Sequence, residues 1–148
     1  MEVTDTVDFG PFTILPFLPG DIPEVLALWS STPGIGVGRG DTPEELCVFL
    51  ERQPGLSFIA RRDGELVGAV LGATDARRGY IHHLAVREDC RGLGLGRALL
   101  ARAVDALRAR GVPKVHLFVF VGNDPAIGFY RHLGWEWRED LRVMSLNL

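Results

Sequence analysis

The chain has 148 residues, 47% of them hydrophobic, and 19 acidic against 16 basic side chains give a net charge of -3. That length suits one domain able to bury about 70% of its unfolded surface, and the charge leaves no basic excess for nucleic acid. No apolar run reaches the roughly 18 residues of a membrane span, and the acidic start (Glu2, Asp5, Asp8) is unlike a secretion signal. Two cysteines, Cys47 and Cys90, are too few for a disulfide scaffold and fit a reducing cytoplasm.

Residues 1–10 read as a flexible tail ahead of a single domain over 11–148. Phe12 to Phe17 reads as a first strand. Asp21 can cap a helix with Pro23 in its first turn, running to about Trp29. The glycine-rich connection Ser30 to Gly40 follows. Thr42 and Glu45 have capping-box spacing at the start of a second helix. Ser57 to Arg62 and Leu66 to Ala73 are strands joined by Asp63-Gly64, a strong hairpin signal. A turn over Asp75 to Gly79 leads into an apolar strand at 80–86. An amphipathic stretch then runs from Leu95 to a glycine stop at Gly111. Val115 to Val121 is continuously apolar, as in a buried parallel strand. Asn123 or Asp124 caps a further helix that Gly134 ends, and two short strands are expected within 135–147.

The most informative run is Arg91-Gly92-Leu93-Gly94-Leu95-Gly96, between the strand at 80–86 and the helix that follows. Glycines there let the backbone approach a ligand, and free N–H groups at a helix start suit a phosphate or pyrophosphate. Arg91 and Arg97 flank the run and can add charge-assisted bonds. A P-loop would end in Gly-Lys-Ser/Thr, but this run continues Gly96-Arg97-Ala98. A dinucleotide fingerprint would place a carboxylate about 20 residues on, where this chain has Gly111-Val112-Pro113-Lys114. Coenzyme A fits best.

On these residues the chain resembles the GCN5-related N-acetyltransferases, the GNAT family. That family's Gln/Arg-x-x-Gly-x-Gly/Ala motif is matched by Arg91, Gly94 and Gly96. Its second motif, an Asn before a helix carrying Phe-Tyr and ending in Leu-Gly-Phe, is matched by Asn123, Phe129-Tyr130 and Leu133-Gly134-Trp135, with Trp for the last Phe. The resemblance spans roughly residues 12 to 148. It implies an α/β (α+β) GNAT fold: a mixed, mostly antiparallel twisted sheet of six or seven strands with about four helices. It also implies acetyl transfer from acetyl-CoA to a primary amine of a small acceptor, by direct attack in a ternary complex. The alternative is a non-catalytic acyl-CoA-binding sensor or interaction module.

The resemblance further assigns residues. Pantetheine would lie along the backbone of Leu84, Ala85 and Val86, with an N–H near Leu84 polarising the thioester. The diphosphate would sit on Arg91, Gly92, Leu93, Gly94, Leu95, Gly96 and Arg97. Tyr130 is the candidate general acid and a cofactor contact, its phenol protonated at neutral pH. Asn123 either contacts the pantetheine amide or caps its helix. His82 is the candidate base or first member of a water relay. Strict alternation puts residues 80, 82, 84 and 86 on one face and His83 on the other, in a structural role. Trp29 through Glu45 would form the acceptor wall, where Asp41 and Glu44 can attract a cation or simply begin a helix. His116 and His132 lack partners at metal spacing, so no metal is expected. Family members also dimerise through their final strands, which makes a homodimer an expectation here.

Overall fold

In a computed structural model, which describes residues 6–148, the chain forms two compact units that divide between Phe118 and Val119. The first unit carries a six-stranded sheet in chain order: β1 (Val7–Phe9), β2 (Phe12–Pro16), β3 (Phe58–Arg62), β4 (Glu65–Thr74), β5 (Gly79–Val86) and β6 (Val115–Leu117). All neighbours are antiparallel except β5 and β6, which run parallel. Its helices are α1 (Ile22–Ser30), α2 (Pro43–Arg52) and α3 (Leu95–Ala109). The second unit contains α4 (Asp124–His132). The mixed sheet and four helices match the expected architecture.

Two layers of side chains bury the sheet. On one face Phe17, Ile22, Val25, Leu28, Trp29 and Leu46 pack with Ile59, Ala69, Leu71 and Ala85. On the other, α3 turns its buried stripe of Leu95, Leu99, Leu100, Ala103 and Leu107 to the strands. The approach of α3 depends on glycines. A Cβ at Gly68 would stand 2.7 Å from Leu99 Cδ1, and one at Gly79 would stand 3.0 Å from Leu107 Cδ1. Gly72 is tighter still, because its Cβ would lie 2.2 Å from the Leu56 carbonyl oxygen.

Local signals form as read where the chain alone decides. Asp63 and Gly64 both have positive φ (51° and 79°), the geometry of a tight two-residue hairpin. Thr42 and Glu45 make the capping box on α2, and Gly111 turns left-handed (φ 80°) just past α3. Asp21 stands at the N-cap of α1 without making a cap bond. Its carboxylate instead accepts from the Leu18 N–H (2.9 Å) and pairs with Arg61 (2.9 Å), which also holds Glu24.

Several expectations are corrected. Of the tail expected over 1–10, residues 1–5 lie outside the described residues, while Val7–Phe9 pairs with β2 as an edge strand. The strand expected over 115–121 stops at Leu117, and no strand occurs within 135–147. Alternation along β5 also breaks. Leu71 pairs with His82 but Ala69 with Ala85, so three steps on β5 oppose two on β4. The extra residue is accommodated at His83, whose φ is +51°.

Replacing Gly72 by Ala should lower stability by about 1–3 kcal/mol or more, because the new methyl meets backbone. Gly20→Ala, with open space around its Cβ, should change it by no more than about 0.5 kcal/mol. Urea unfolding of both variants checks this, and equal stabilities would contradict the packing.

Candidate functional site

The bulge decides which side chains of β5 share a face. Facing residues of paired strands point to the same side, so Tyr80, His82 and Ala85 follow Ala73, Leu71 and Ala69 toward the α1–α2 layer. Val86 follows Gly68 toward α3. The expected grouping of residues 80, 82, 84 and 86 therefore fails, because it assumed an unbroken period of two. His83 is corrected as well. Its ring stands edge-on to Trp29 (centroids 4.9 Å), and its Nε2 lies 3.2 Å from Asp41 Oδ2, on the side of the α1–α2 layer.

A line of rings extends over the same face. Tyr80 and His82 stack in parallel at 6.3 Å, His82 meets Phe118 at 6.1 Å, and Tyr80 meets His116 at 6.0 Å. The parallel register of Tyr80 with His116 carries this patch from β5 to β6. His82 is mostly buried within it. Burial holds its imidazole below the usual histidine range, the nearby His83 lowers it further, and Asp41 partly opposes the shift. At neutral pH His82 is therefore an uncharged imidazole, able to accept a proton.

Below this patch the sheet splits. β5 and β6 pair only over Gly79–Ile81 with Val115–Leu117. From His82 to Val86, β5 has β4 as its strand partner among the described residues, and its other edge has none. Leu84, Ala85 and Val86 lie on this one-sided stretch. Such an edge suits an extended ligand that pairs as an added strand.

The chain then enters a short helical turn at Glu88–Cys90 and the glycine run. Arg87 fixes that turn by a two-pronged contact with Asp89 (2.7 and 3.0 Å) and a bond to Glu65 (2.9 Å). Its hydrogen bonds with Arg87 hold the Asp89 carboxyl below its ordinary range. The Cys90 sulfur is buried and burial pushes its thiol up, which argues against a reactive thiolate. Arg91 Nε donates to the Val86 carbonyl (3.0 Å) and closes the loop back on the strand. Gly92 and Gly94 both have left-handed φ (75° and 82°), and Gly94 is the N-cap of α3, with no side-chain cap bond. Arg91, Gly92, Leu93, Gly94 and Arg97 are exposed, Gly96 is partly exposed and Leu95 is buried. The residues thus form a bare helix start flanked by two arginines, which fits a diphosphate.

In the second unit, Asn123 Oδ1 accepts from the Ala126 N–H (3.4 Å) and caps α4. Tyr130 packs between Phe129 (5.1 Å) and Trp135 (5.7 Å). Burial pushes its phenol up to about 12. The Arg87–Asp89 anchor and the His83–Asp41 pair escaped the sequence reading. Arg87 and Asp89 are spaced for a local pair, whereas His83 and Asp41 are 42 residues apart.

With this geometry in place, comparison with known proteins is informative. The family model described as "Acetyltransferase (GNAT) family" matches residues 22–135. An acetyltransferase of Pectobacterium atrosepticum is 44% identical over 120 residues, covering 81% of this chain and 84% of that protein. An acetyltransferase of Sodalis glossinidius is 33% identical, covering 89% and 92%. Among solved structures, Ard1 from Thermoplasma volcanium aligns with a TM-score of 0.75 at 26% identity, covering 84% and 82%. The ribosomal-protein-S18-alanine N-acetyltransferase of Escherichia coli aligns with a TM-score of 0.69 at 26% identity, covering 83% and 76%.

Titration of tyrosinate absorbance should show one phenol ionising near pH 12, lost in Tyr130→Phe. A Tyr130 transition at the ordinary pH of about 10 would contradict its burial.

Proposed function

Because the chain belongs to the GNAT acetyltransferase family and is an N-acetyltransferase, we propose that it takes its acetyl group from acetyl-CoA and passes it to a primary amine by direct attack in a ternary complex. The observation that carries this reading is the one-sided stretch of β5 from His82 to Val86, running into the glycine loop and the start of α3. An extended thiol-ester arm and a diphosphate need those two features in that order.

The roles follow from the chemistry of the reaction. Backbone groups of Leu84, Ala85 and Val86 hold the arm, and an N–H near Leu84 polarises the thioester carbonyl. One such donor contributes about 3–4 kcal/mol in the transition state. Gly92, Leu93, Gly94, Leu95 and Gly96 present backbone to the diphosphate, while Arg91 and Arg97 add charge. His82 accepts the proton that the incoming ammonium must lose, directly or through water. The amine nitrogen then bonds to the thioester carbon as the carbon–sulfur bond breaks. Tyr130 gives its proton to the departing thiolate, and the proton shed by the new amide nitrogen restores the phenol through water. The raised phenol of Tyr130 keeps its proton available across the neutral range. Asn123 spends its side-chain oxygen on the α4 cap, which leaves its amide NH₂ as a donor for the arm.

The acceptor is a small amine in this reading. The ring-lined face of Tyr80, His82, His116 and Phe118 with Asp41 beyond it supports a cationic or amphipathic one, since aromatic faces attract ammonium groups. The one-sided edge and bare loop would serve an acyl-CoA sensor equally. The mostly buried neutral His82 favours catalysis, because a binder needs no base.

Thiol release from acetyl-CoA across a panel of amines, including a peptide amino terminus, tests the reading. Activity should appear with at least one amine; binding of acetyl-CoA without turnover would leave the sensor. Tyr130→Phe should lower kcat by about 10²-fold or more, and an unchanged kcat would remove it as the acid. With the accepted amine, kcat/KM should rise as pH climbs through a value below the ordinary histidine range and level off above it, because the neutral form of His82 does the work. Gly94→Asn keeps a residue type tolerant of left-handed φ. It should weaken acetyl-CoA binding at least tenfold, about 1.4 kcal/mol, by calorimetry.

A further inference from the structure

His83 combines three features that packing alone does not require. It occupies the bulge of β5 with a left-handed φ of +51°, a backbone conformation strained for a non-glycine residue. Its ring lies against buried Trp29, and its Nε2 reaches Asp41 Oδ2 at 3.2 Å, with the two side chains only 22% and 13% exposed. Asp41 closes a turn on its own segment as well, where its Oδ2 accepts from the Gly38 N–H (3.1 Å) and its N–H donates to the Gly38 carbonyl (3.1 Å).

That segment needs an anchor. Between α1 and α2 the chain carries Gly34, Gly36, Gly38 and Gly40 without regular structure, and Gly34 and Gly40 are left-handed (φ 85° and 95°). Such a stretch loses much conformational entropy when held in place. Asp41 immediately precedes Thr42, the cap of α2, so its hold on β5 also fixes where α2 begins.

We propose that Asp41 and His83 form a positioning pair for acetyl transfer, which pins the glycine-rich α1–α2 segment to the bulge of β5 and sets the electrostatic surroundings of the neighbouring His82. The inference rests on the reading of His82 as the base. Among the described residues, the titratable groups set around His82 are Tyr80 and His83 on β5 and Asp41 on the α1–α2 segment, with His116 of β6 behind Tyr80. Arg39 on that segment is exposed, and Glu45 of α2 is committed to Thr42. His83 lowers the affinity of His82 for a proton and Asp41 raises it, so the pair sets opposing influences beside the buried base while it orders the wall next to it.

The first readout needs no knowledge of the acceptor. The imidazole signals of the full chain are followed by NMR against pH, with His82→Gln assigning the His82 signal. His83→Asn keeps a side chain that tolerates left-handed backbone and removes the imidazole that lowers the affinity of His82 for a proton. The His82 midpoint should then move upward, and amide protection over residues 36–41 should fall in both His83→Asn and Asp41→Asn. An unmoved midpoint, or protection retained in either variant, overturns the pair. If instead His82→Gln keeps full thiol release on an accepted amine, the base role falls and this inference falls with it. Loss of release in His82→Gln beside an unmoved midpoint overturns the pair alone.

Discussion

One extra residue in β5 governs the arrangement of the site. A strand in strict register would send His82 and His83 to opposite faces, leaving one of them under α3. The bulge absorbs a residue at His83 and brings Ala85 onto the face of Tyr80 and His82. It also turns the His83 ring onto Trp29 and Asp41. His82, the His83–Asp41 pair and the apolar layer thereby meet on one side of the sheet. The other side stays free for α3 to pack through Gly68 and Gly79.

The same strand ends its pairing with β6 at Ile81, and the two effects act together. The bulge changes the direction of backbone groups just where the neighbouring strand is lost, so an open edge appears beside His82. Continuing past Val86, the chain is braced by Arg87 with Asp89 and Glu65, then by Arg91 on the Val86 carbonyl. These contacts are exposed and individually weak. Their effect is geometric, holding the glycine run and the start of α3 in line with the open edge. An extended ligand with a diphosphate end matches that line.

The reading of the sequence succeeded where neighbours in sequence set the geometry. Asp63-Gly64, the Thr42–Glu45 box, the Asn123 cap and the glycine run all have causes within a few residues. It failed where distant contacts compete. Asp21 has the chemistry of a cap, yet Arg61, 40 residues away, takes its carboxylate. Val115–Val121 is apolar enough for a long strand, but a strand lasts only while its neighbour runs beside it, and pairing ends at Leu117. The exposed Val7–Phe9 looks like a tail by composition and becomes a strand only because β2 offers a partner.

The sequence by itself determined the family, the order of elements from β2 to α4 and the loop that follows β5, because glycine spacing, caps and turn residues act locally and leave their mark in composition. Only the tertiary structure decided which side of the sheet each β5 side chain faces and that His83 reaches Asp41. A bulge is a property of two strands rather than one, and nothing in Tyr80 to Val86 alone reveals where β4 has one residue fewer.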